Sequence, residues 1–249
     1  MPVSRKPFAL GAAVAAAAVL LGVVSYTAAA PDPTAPTAPT APTAGGSVAG
    51  ASADPQADMY RELAELARRD PADPLAVGRA DAPVVLIEYA DFACGYCGKF
   101  ARDTAPALVE KYVDSGTLRI EWRNLPIFGA ESEAAARAAW AAGRQGRFWQ
   151  FHAAAYAEGA KEKGFGAQRL KELAEEAGVK DLNRFARDAE SDAARRAVAQ
   201  DQQEAYGLGA TSTPSFLVNG RPIAGAQPRE TFEQAIASEA AGAGKGAER

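Results

Sequence analysis

Both cysteines of this 249-residue chain lie three positions apart in the segment ADFACGYCGKF. As a stabilising cross-link, the pair Cys94–Cys97 is poorly placed, because closing so short a ring contributes roughly 2 kcal/mol, against about 3 kcal/mol for a fifteen-residue loop. A protein that needs a disulfide for stability gains more by joining distant segments. The spacing therefore favours a pair of thiols that is opened and closed during function.

The chemistry expected of this pair depends on a helix that begins at the first cysteine. Residues three apart on a helix lie close enough to form a disulfide. Unpaired backbone N–H groups and the helix dipole favour an anion at the N-terminus, which lowers the pKa of Cys94. We expect Cys94 to exchange disulfides with substrates and the shielded Cys97 to resolve the mixed disulfide. The alternative is an inert pair or half of a metal site.

Residue counts restrict the other classes of site. One chain with two cysteines and a single histidine, His152, cannot supply the four ligands of a structural zinc site, although a site shared between two chains stays open. The net charge of -4 argues against a nucleic-acid partner. We expect no metal and no cofactor beyond the redox-active disulfide Cys94–Cys97.

The elements that must position the pair follow from the spacing of apolar residues. Helix spacing over 59–69 predicts a first helix, and a nearly continuous apolar run over 82–91 predicts a strand covered on both faces. Apolar residues every four positions over 100–112 predict one helix that ends at Ser115-Gly116. A second strand is predicted within 117–128.

The second half of the chain reads as helices followed by a hairpin. From about Glu131 to Tyr206 the pattern predicts four helices and no strand. Asn219-Gly220 is a strong two-residue turn signal, which predicts a β-hairpin. A last amphipathic helix is predicted over 229–240, with Phe232 facing inward.

Four segments are predicted along the chain. Residues 1–30 form a basic start and a long uncharged run, which favours a signal-anchor or transmembrane segment over a cleaved signal peptide; both lead out of the cytoplasm. Residues 31–57 are a flexible linker rich in proline, alanine and threonine, which we expect to be extended. The folded domain is predicted over 58–243, with a disordered tail over 244–249.

Five motifs, taken together and in order, resemble the DsbA-like thioredoxin-fold oxidoreductases of bacteria, in their membrane-anchored or secreted form. The resemblance covers about residues 70–240 and depends on IEYADFACGYCGKF, TAPALVEKYVDSG, RNLPIFG, GRFWQFH and TSTPSFLVNGRPIAGAQP. It implies an α/β thioredoxin fold with an all-helical subdomain, about 131–206, inserted between the second strand and a cis-proline loop.

The resemblance implies roles for three further residues. Glu88 matches a buried acid that exchanges a proton with Cys97; the alternative is a strand carboxylate at the sheet edge. Thr213 and Pro214 match the cis-proline loop that lies against the active disulfide, where the Thr213 backbone can pair with an extended substrate segment. The alternative there is an ordinary trans-proline before a strand.

The dipeptide between the cysteines, Gly95-Tyr96, helps to set the redox potential and supplies no histidine beside the thiolate. It resembles the dipeptide of disulfide isomerases and of many anchored DsbA-like proteins, which leaves the direction of electron flow open. His152 lies among aromatic residues, and we interpret it as a packing residue.

The resemblance implies an extracytoplasmic enzyme that donates the Cys94–Cys97 disulfide to exported proteins with free thiols. A quinone-linked membrane partner would reoxidise the pair. A reductase or an isomerase on the same fold is the nearest alternative. A non-enzymatic binding or chaperone module is the alternative from another class.

Overall fold

The computed structural model describes residues 54–247. The predicted signal-anchor, residues 1–30, and the linker up to residue 53 lie outside the described residues. Among the described helices, none is both long and apolar enough to cross a membrane.

A mixed five-stranded sheet forms the centre of the fold, and its strands are β1 (Ala76–Val77), β2 (Val84–Ala90), β3 (Leu118–Asn124), β4 (Ser215–Val218) and β5 (Arg221–Ala224). Their order in the sheet is β1-β3-β2-β4-β5. Strands β2 and β3 are parallel, and the other neighbouring pairs are antiparallel. The edge strand β1 is only two residues long and was not predicted.

The central strand β2 is buried along its whole length, as its continuous apolar sequence predicts. Successive side chains of a strand point to opposite faces. Val84 and Leu86 pack on one face with Phe100 and with Phe232 from the last helix. The opposite face of β2 packs against Leu63 and its neighbours from the N-terminal region.

The N-terminal helix α1 (Pro55–Ala64) begins and ends earlier than the predicted range 59–69. Asp54 caps it by accepting a hydrogen bond from the Gln56 N–H at 3.0 Å, so this helix begins inside the range predicted as linker. After Ala64 the backbone turns more tightly, because the next N–H groups bond to carbonyls three residues back.

The helix predicted over 100–112 is interrupted. Helix α2 (Gly95–Asp103) ends at Thr104, and α3 (Ala105–Leu108) continues into a π-helical turn over Val109–Val113. Pro106 explains the break, since proline lacks the N–H that would bond to the carbonyl four residues earlier. Gly116, with φ +75, reverses the chain at the predicted end.

The helical insertion is confirmed between β3 and the cis-proline loop, with five α-helices and a short 3-10 helix (Lys161–Lys163) where four helices were predicted. The last predicted helix is divided at Ser191, whose hydroxyl accepts a hydrogen bond from the Ala194 N–H at 3.1 Å and so begins a new helix. The five are α4 (Ala130–Gly143), α5 (Phe148–Ala155), α6 (Ala167–Glu176), α7 (Leu182–Ala189) and α8 (Asp192–Gly207).

The C-terminal part forms the predicted hairpin and final helix. Asn219 and Gly220 have φ of 45 and 82 and join β4 to β5. A Cβ on Gly220 would lie 1.9 Å from the Tyr60 carbonyl oxygen, so only glycine allows α1 to approach the turn. Helix α9 (Arg229–Ala247) extends beyond the predicted range and includes part of the predicted tail.

Candidate active site

The cysteine pair lies where β2 ends and α2 begins. Cys94 is the N-cap residue of α2 and has extended backbone geometry. Its N–H donates to the Asp91 carbonyl at 3.0 Å, and its own carbonyl accepts from the Gly98 N–H at 3.1 Å. Both cysteines are free thiols in this structure. The predicted placement of the pair at a helix N-terminus is confirmed.

Cys94 is an acidic thiol. Its pKa is lowered to about 5, first by a hydrogen bond from the Cys97 thiol, and further by the Thr213 hydroxyl and the backbone N–H groups of Cys97 and Tyr96. Burial acts in the opposite direction but is outweighed. Cys94 is therefore a thiolate at neutral pH without a histidine in the dipeptide.

Cys97 is the opposite kind of thiol. Its side chain is fully buried, and its pKa is raised, first by burial and then by the nearby Cys94 sulfur. The charge of Glu88 acts in the same direction. The two sulfurs differ strongly in acidity although they are one helical turn apart.

The Cys94 sulfur is covered but can be reached. The residue is only 4% exposed. However, it lines two open depressions, of about 190 Å³ and about 840 Å³, on the surface of the domain. Cys94 therefore borders space that is open at the surface, although little of the residue is exposed.

The proline loop lies against the pair, as the resemblance implies. The Thr213–Pro214 peptide bond is cis. The Thr213 carbonyl accepts a hydrogen bond from Cys94 Sγ at 3.3 Å, a contact that favours the thiol because a thiolate cannot donate. Within residues 54–247 the Thr213 N–H has no hydrogen-bond partner. The loop therefore offers a free backbone donor beside the reactive sulfur.

Glu88 lies in the centre of the sheet, on the face of β2 that α2 covers. Its partners in register are Trp122 on β3 and Phe216 on β4, which excludes the sheet-edge alternative. The side chain is 2% exposed, and burial, followed by the charge of Cys94, raises its pKa to about 8.

His152 belongs to the aromatic packing between β3 and the insertion. Its ring centroid is 4.8 Å from that of Tyr156 and 5.1 Å from that of Trp122. Burial lowers its pKa to about 3, so the imidazole is neutral at physiological pH. This environment agrees with the interpretation as a packing residue.

Gly95 and Tyr96 form the exposed surface of the site. The Tyr96 side chain is 70% exposed and lies on the rim of the larger depression. Lys161, from the insertion, lies above Gly95: a Cβ on this glycine would be 3.5 Å from Lys161 Nζ.

Asp91 is a positioning residue that the sequence analysis did not single out. Its buried carboxylate accepts hydrogen bonds from the N–H groups of Ala93, Ile127 and Phe128 and from the Ser132 hydroxyl, at 2.7–3.2 Å. It ties the loop before Cys94 to the start of the insertion. The available signal was an acid directly after a buried strand, which is an unusual place for a carboxylate.

Tyr156 was also missed. Its hydroxyl donates to the Asp91 carbonyl at 2.8 Å, and its ring stacks on Phe92 with centroids 5.2 Å apart. Gly98 permits this packing, because a Cβ there would lie 3.3 Å from the Tyr156 ring. The sequence offered no signal beyond a tyrosine in an alanine-rich helix.

A dithiol at the start of a helix, placed after the central strand of a mixed sheet and facing a cis-proline loop, defines a thioredoxin-fold redox protein. A family model described as thioredoxin matches residues 70–238. The probable disulfide bond formation protein D of Bacillus cereus is 31% identical over 150 residues, which are 58% of this chain and 69% of that protein. The chain belongs to the thioredoxin family, among its DsbA-like thiol–disulfide oxidoreductases.

Two further comparisons define the extent of the likeness. The structure of Wolbachia pipientis alpha-DsbA1 superposes with a TM-score of 0.62 at 23% identity, over 73% of this chain and 97% of that chain, which shows a shared fold. The Na(+)/H(+) antiporter NhaA 3 of Salinispora tropica is 34% identical over 163 residues, 65% of this chain. The chain spans only 24% of that antiporter.

Proposed function

We propose that this protein donates the Cys94–Cys97 disulfide to exported proteins with free thiols, outside the cytoplasm. The observation that supports this direction is the contrast between the two sulfurs. Cys94 is stabilised as a thiolate, with a pKa of about 5, which stabilises the reduced pair. A dithiol whose reduced form is stabilised is a stronger oxidant.

In the first step a substrate thiolate attacks Cys94 Sγ. A bond forms between the two sulfurs, the Cys94–Cys97 bond breaks, and its electron pair goes to Cys97. A buried thiolate is unfavourable at Cys97, so it takes a proton from Glu88, whose carboxyl is protonated at neutral pH because its pKa is about 8.

In the second step the second thiolate of the substrate attacks the substrate sulfur of the mixed disulfide. Cys94 leaves as a thiolate, which its low pKa favours. Two electrons have then moved from the substrate dithiol to the pair. The redox-active disulfide is the only cofactor that the mechanism needs.

The cis-proline loop orients the substrate in this mechanism. The Thr213 N–H is free to donate to an extended substrate backbone, which adds to the loop as a strand adds to a sheet edge. Pro214 has no N–H and cannot compete for this acceptor. Gly95 and Tyr96, which lie between the two cysteines, help to set the redox potential of the pair.

In this proposal residues 1–30 direct the domain out of the cytoplasm, either as a membrane anchor or as an export signal. The linker lets the domain reach chains that emerge near the membrane. A quinone-linked membrane partner then reoxidises the reduced pair.

The test is the variant Cys97→Ala, expressed in cells with the full chain. Without the resolving thiol, Cys94 should accumulate mixed disulfides with exported proteins, seen as high-mass bands that disappear on reduction. The matched control Cys94→Ala should form none, because Cys97 is buried.

The direction is tested on the same cells by thiol alkylation of the wild-type protein. A donor of disulfides should be mostly oxidised at steady state. A mostly reduced pair would contradict the oxidase and support a reductase. If no exported protein is trapped while the wild-type protein turns over, the substrate class is wrong.

A further inference from the structure

The larger depression beside Cys94, of about 840 Å³, is lined by more basic than acidic side chains. Three basic side chains line it, Lys99, Arg102 and Lys161, against one acidic side chain, Asp103. The whole chain has a net charge of -4. The surface next to the reactive sulfur is therefore basic although the protein is acidic.

Two of these cations are uncompensated. Lys99 Nζ forms a solvent-exposed salt bridge with Asp103 Oδ2 at 2.6 Å. Arg102 donates one N–H to the Tyr156 carbonyl at 2.7 Å and keeps its other donors. In the region that the structure describes, neither Arg102 nor Lys161 forms a salt bridge.

The neighbouring smaller depression does not share this imbalance. Lys161 and Arg102 also border it, but Glu158 and Glu162 lie there as well. An anion is therefore favoured on the side of the larger depression. Lys161 lies over the first turn of α2, where a Cβ on Gly95 would be 3.5 Å from its Nζ.

Apolar contact is available at the rim of the same depression. Tyr96 and Phe128 are 70% and 58% exposed, the two most exposed of the large hydrophobic side chains in the described residues. Both line the larger depression together with Cys94. Aromatic rings at the surface supply contact area at low entropic cost and are frequent in interfaces.

We infer that the larger depression binds acidic substrate segments, in which Asp or Glu and an apolar side chain lie next to the reacting cysteine. The inference rests on the proposed function and names its substrate class. Charge complementarity accelerates encounter and strengthens binding, and it leaves the exchange chemistry itself unchanged. Lys161 is the specificity residue, and Arg102 supports it.

The test uses the full-length protein in detergent micelles and three synthetic dithiol peptides. They are identical apart from the residues that flank the cysteines, which are Asp and Glu, Ser, or Lys. The measured quantity is kcat/KM for peptide oxidation at low and high ionic strength. At low salt we expect kcat/KM to be highest for the acidic peptide, lower for the neutral peptide and lowest for the basic peptide. At high salt the differences in kcat/KM between the peptides should be smaller.

The variants are Lys161→Gln and the matched control Lys180→Gln. Lys180 lines a separate groove on the helical insertion. Lys161→Gln should lower kcat/KM for the acidic peptide roughly threefold, within the range of exposed ion pairs, and should leave the neutral peptide unchanged. Lys180→Gln should change neither.

The outcomes separate the inference from the proposed function. Failure to oxidise the neutral peptide would contradict the proposed function itself. Oxidation of all three peptides at equal rates would overturn the inference alone. An equal loss for all three peptides in Lys161→Gln would overturn it too, because the lysine would then act on the Cys94 thiolate and not on the substrate.

Discussion

Glu88 shows how one residue links stability to function. Its Oε1 has no hydrogen-bond partner within residues 54–247, and its pKa is raised from 4.5 to about 8. The folded protein therefore holds a proton that the unfolded chain releases, and the contribution of Glu88 to stability falls as the pH rises from 4.5 towards 8. Near pH 7 the cost is on the order of 3 kcal/mol, since each pH unit contributes about 1.4 kcal/mol. In the reduced protein, Cys94 contributes a change of opposite sign, because its pKa is lowered from 9.0 to about 5.

The variant Glu88→Gln removes this ionisation. By urea denaturation we expect a higher free energy of unfolding than that of the wild-type protein at pH 7, and a difference between the two proteins that grows from pH 5 to pH 8. Reduction of the Cys94–Cys97 pair by a thiol substrate should slow roughly 100-fold, because Cys97 loses its proton donor.

The exposed acid Glu110 provides the control for this prediction. Glu110→Gln should change neither the pH dependence of stability nor the rate of reduction. If the difference in free energy of unfolding between Glu88→Gln and wild type stays constant from pH 5 to pH 8, the carboxyl is already ionised in the folded protein and cannot supply the proton.

The chemistry of single residues was largely predictable from the sequence because it is local. Two thiols at the start of a helix suffice to predict an acidic Cys94 and a buried Cys97. Glu88, Thr213 and Pro214 needed the resemblance, since they lie elsewhere in the chain. The donors that lower the pKa of Cys94 come from Cys97, Thr213 and the backbone, so the dipeptide sequence alone does not predict its acidity.

At the scale of elements, Asp91 determines how the strand, the active-site loop and the insertion meet. One carboxylate receives donors from residues 2, 36, 37 and 41 positions away. No local pattern predicts such an arrangement, because the donors are three backbone N–H groups and one hydroxyl. The alanine-rich insertion was similarly ambiguous, since alanine fits any helix face; Ser191 was the only sign that the last helix divides.

The variant Asp91→Asn tests this arrangement. An amide can accept on one oxygen only, and its own N–H groups would face the N–H donors of Ile127 and Phe128. We expect the free energy of unfolding to fall by about 2–4 kcal/mol, as for buried donors left without a charged acceptor. Urea denaturation of the reduced protein measures it.

Asp70→Asn is the control, because Asp70 also accepts a backbone N–H, that of Ala72, but in an exposed turn. It should change stability by less than about 1 kcal/mol. Equal small losses in both variants would mean that the Asp91 carboxylate is not needed to connect the loop to the insertion.

At the scale of the whole molecule, a buried charge network joins the N-terminal region to the sheet. The Glu121 carboxylate accepts from the backbone N–H groups of Arg68 and Arg69, each at 2.9 Å, and pairs with Arg119 and Arg123. Burial opposes its ionisation, but hydrogen bonds led by that of Arg119 hold its pKa at about 2. The matched family region begins at residue 70, so two of these donors precede it.

A protein shortened to begin at residue 70 should lose this support. The buried Glu121 would keep its arginines but lose two backbone donors, and breaking such a network costs about 3–5 kcal/mol. A carboxyl with a depressed pKa stabilises the fold above pH 4.5, and this contribution is lost as the pH falls towards 2. Urea denaturation at pH 7 and at pH 3 measures the loss of stability and its dependence on pH.

The pH dependence separates the network from ordinary packing. Removing residues 54–69 also removes Leu63 and Leu66 from the core, and that apolar loss is the same at both pH values. The network adds a loss that is larger at pH 7 than at pH 3. A protein that begins at residue 54 keeps both contributions and should match the full chain. If the shortened protein lost equal stability at pH 7 and pH 3, packing alone would join the N-terminal region to the sheet.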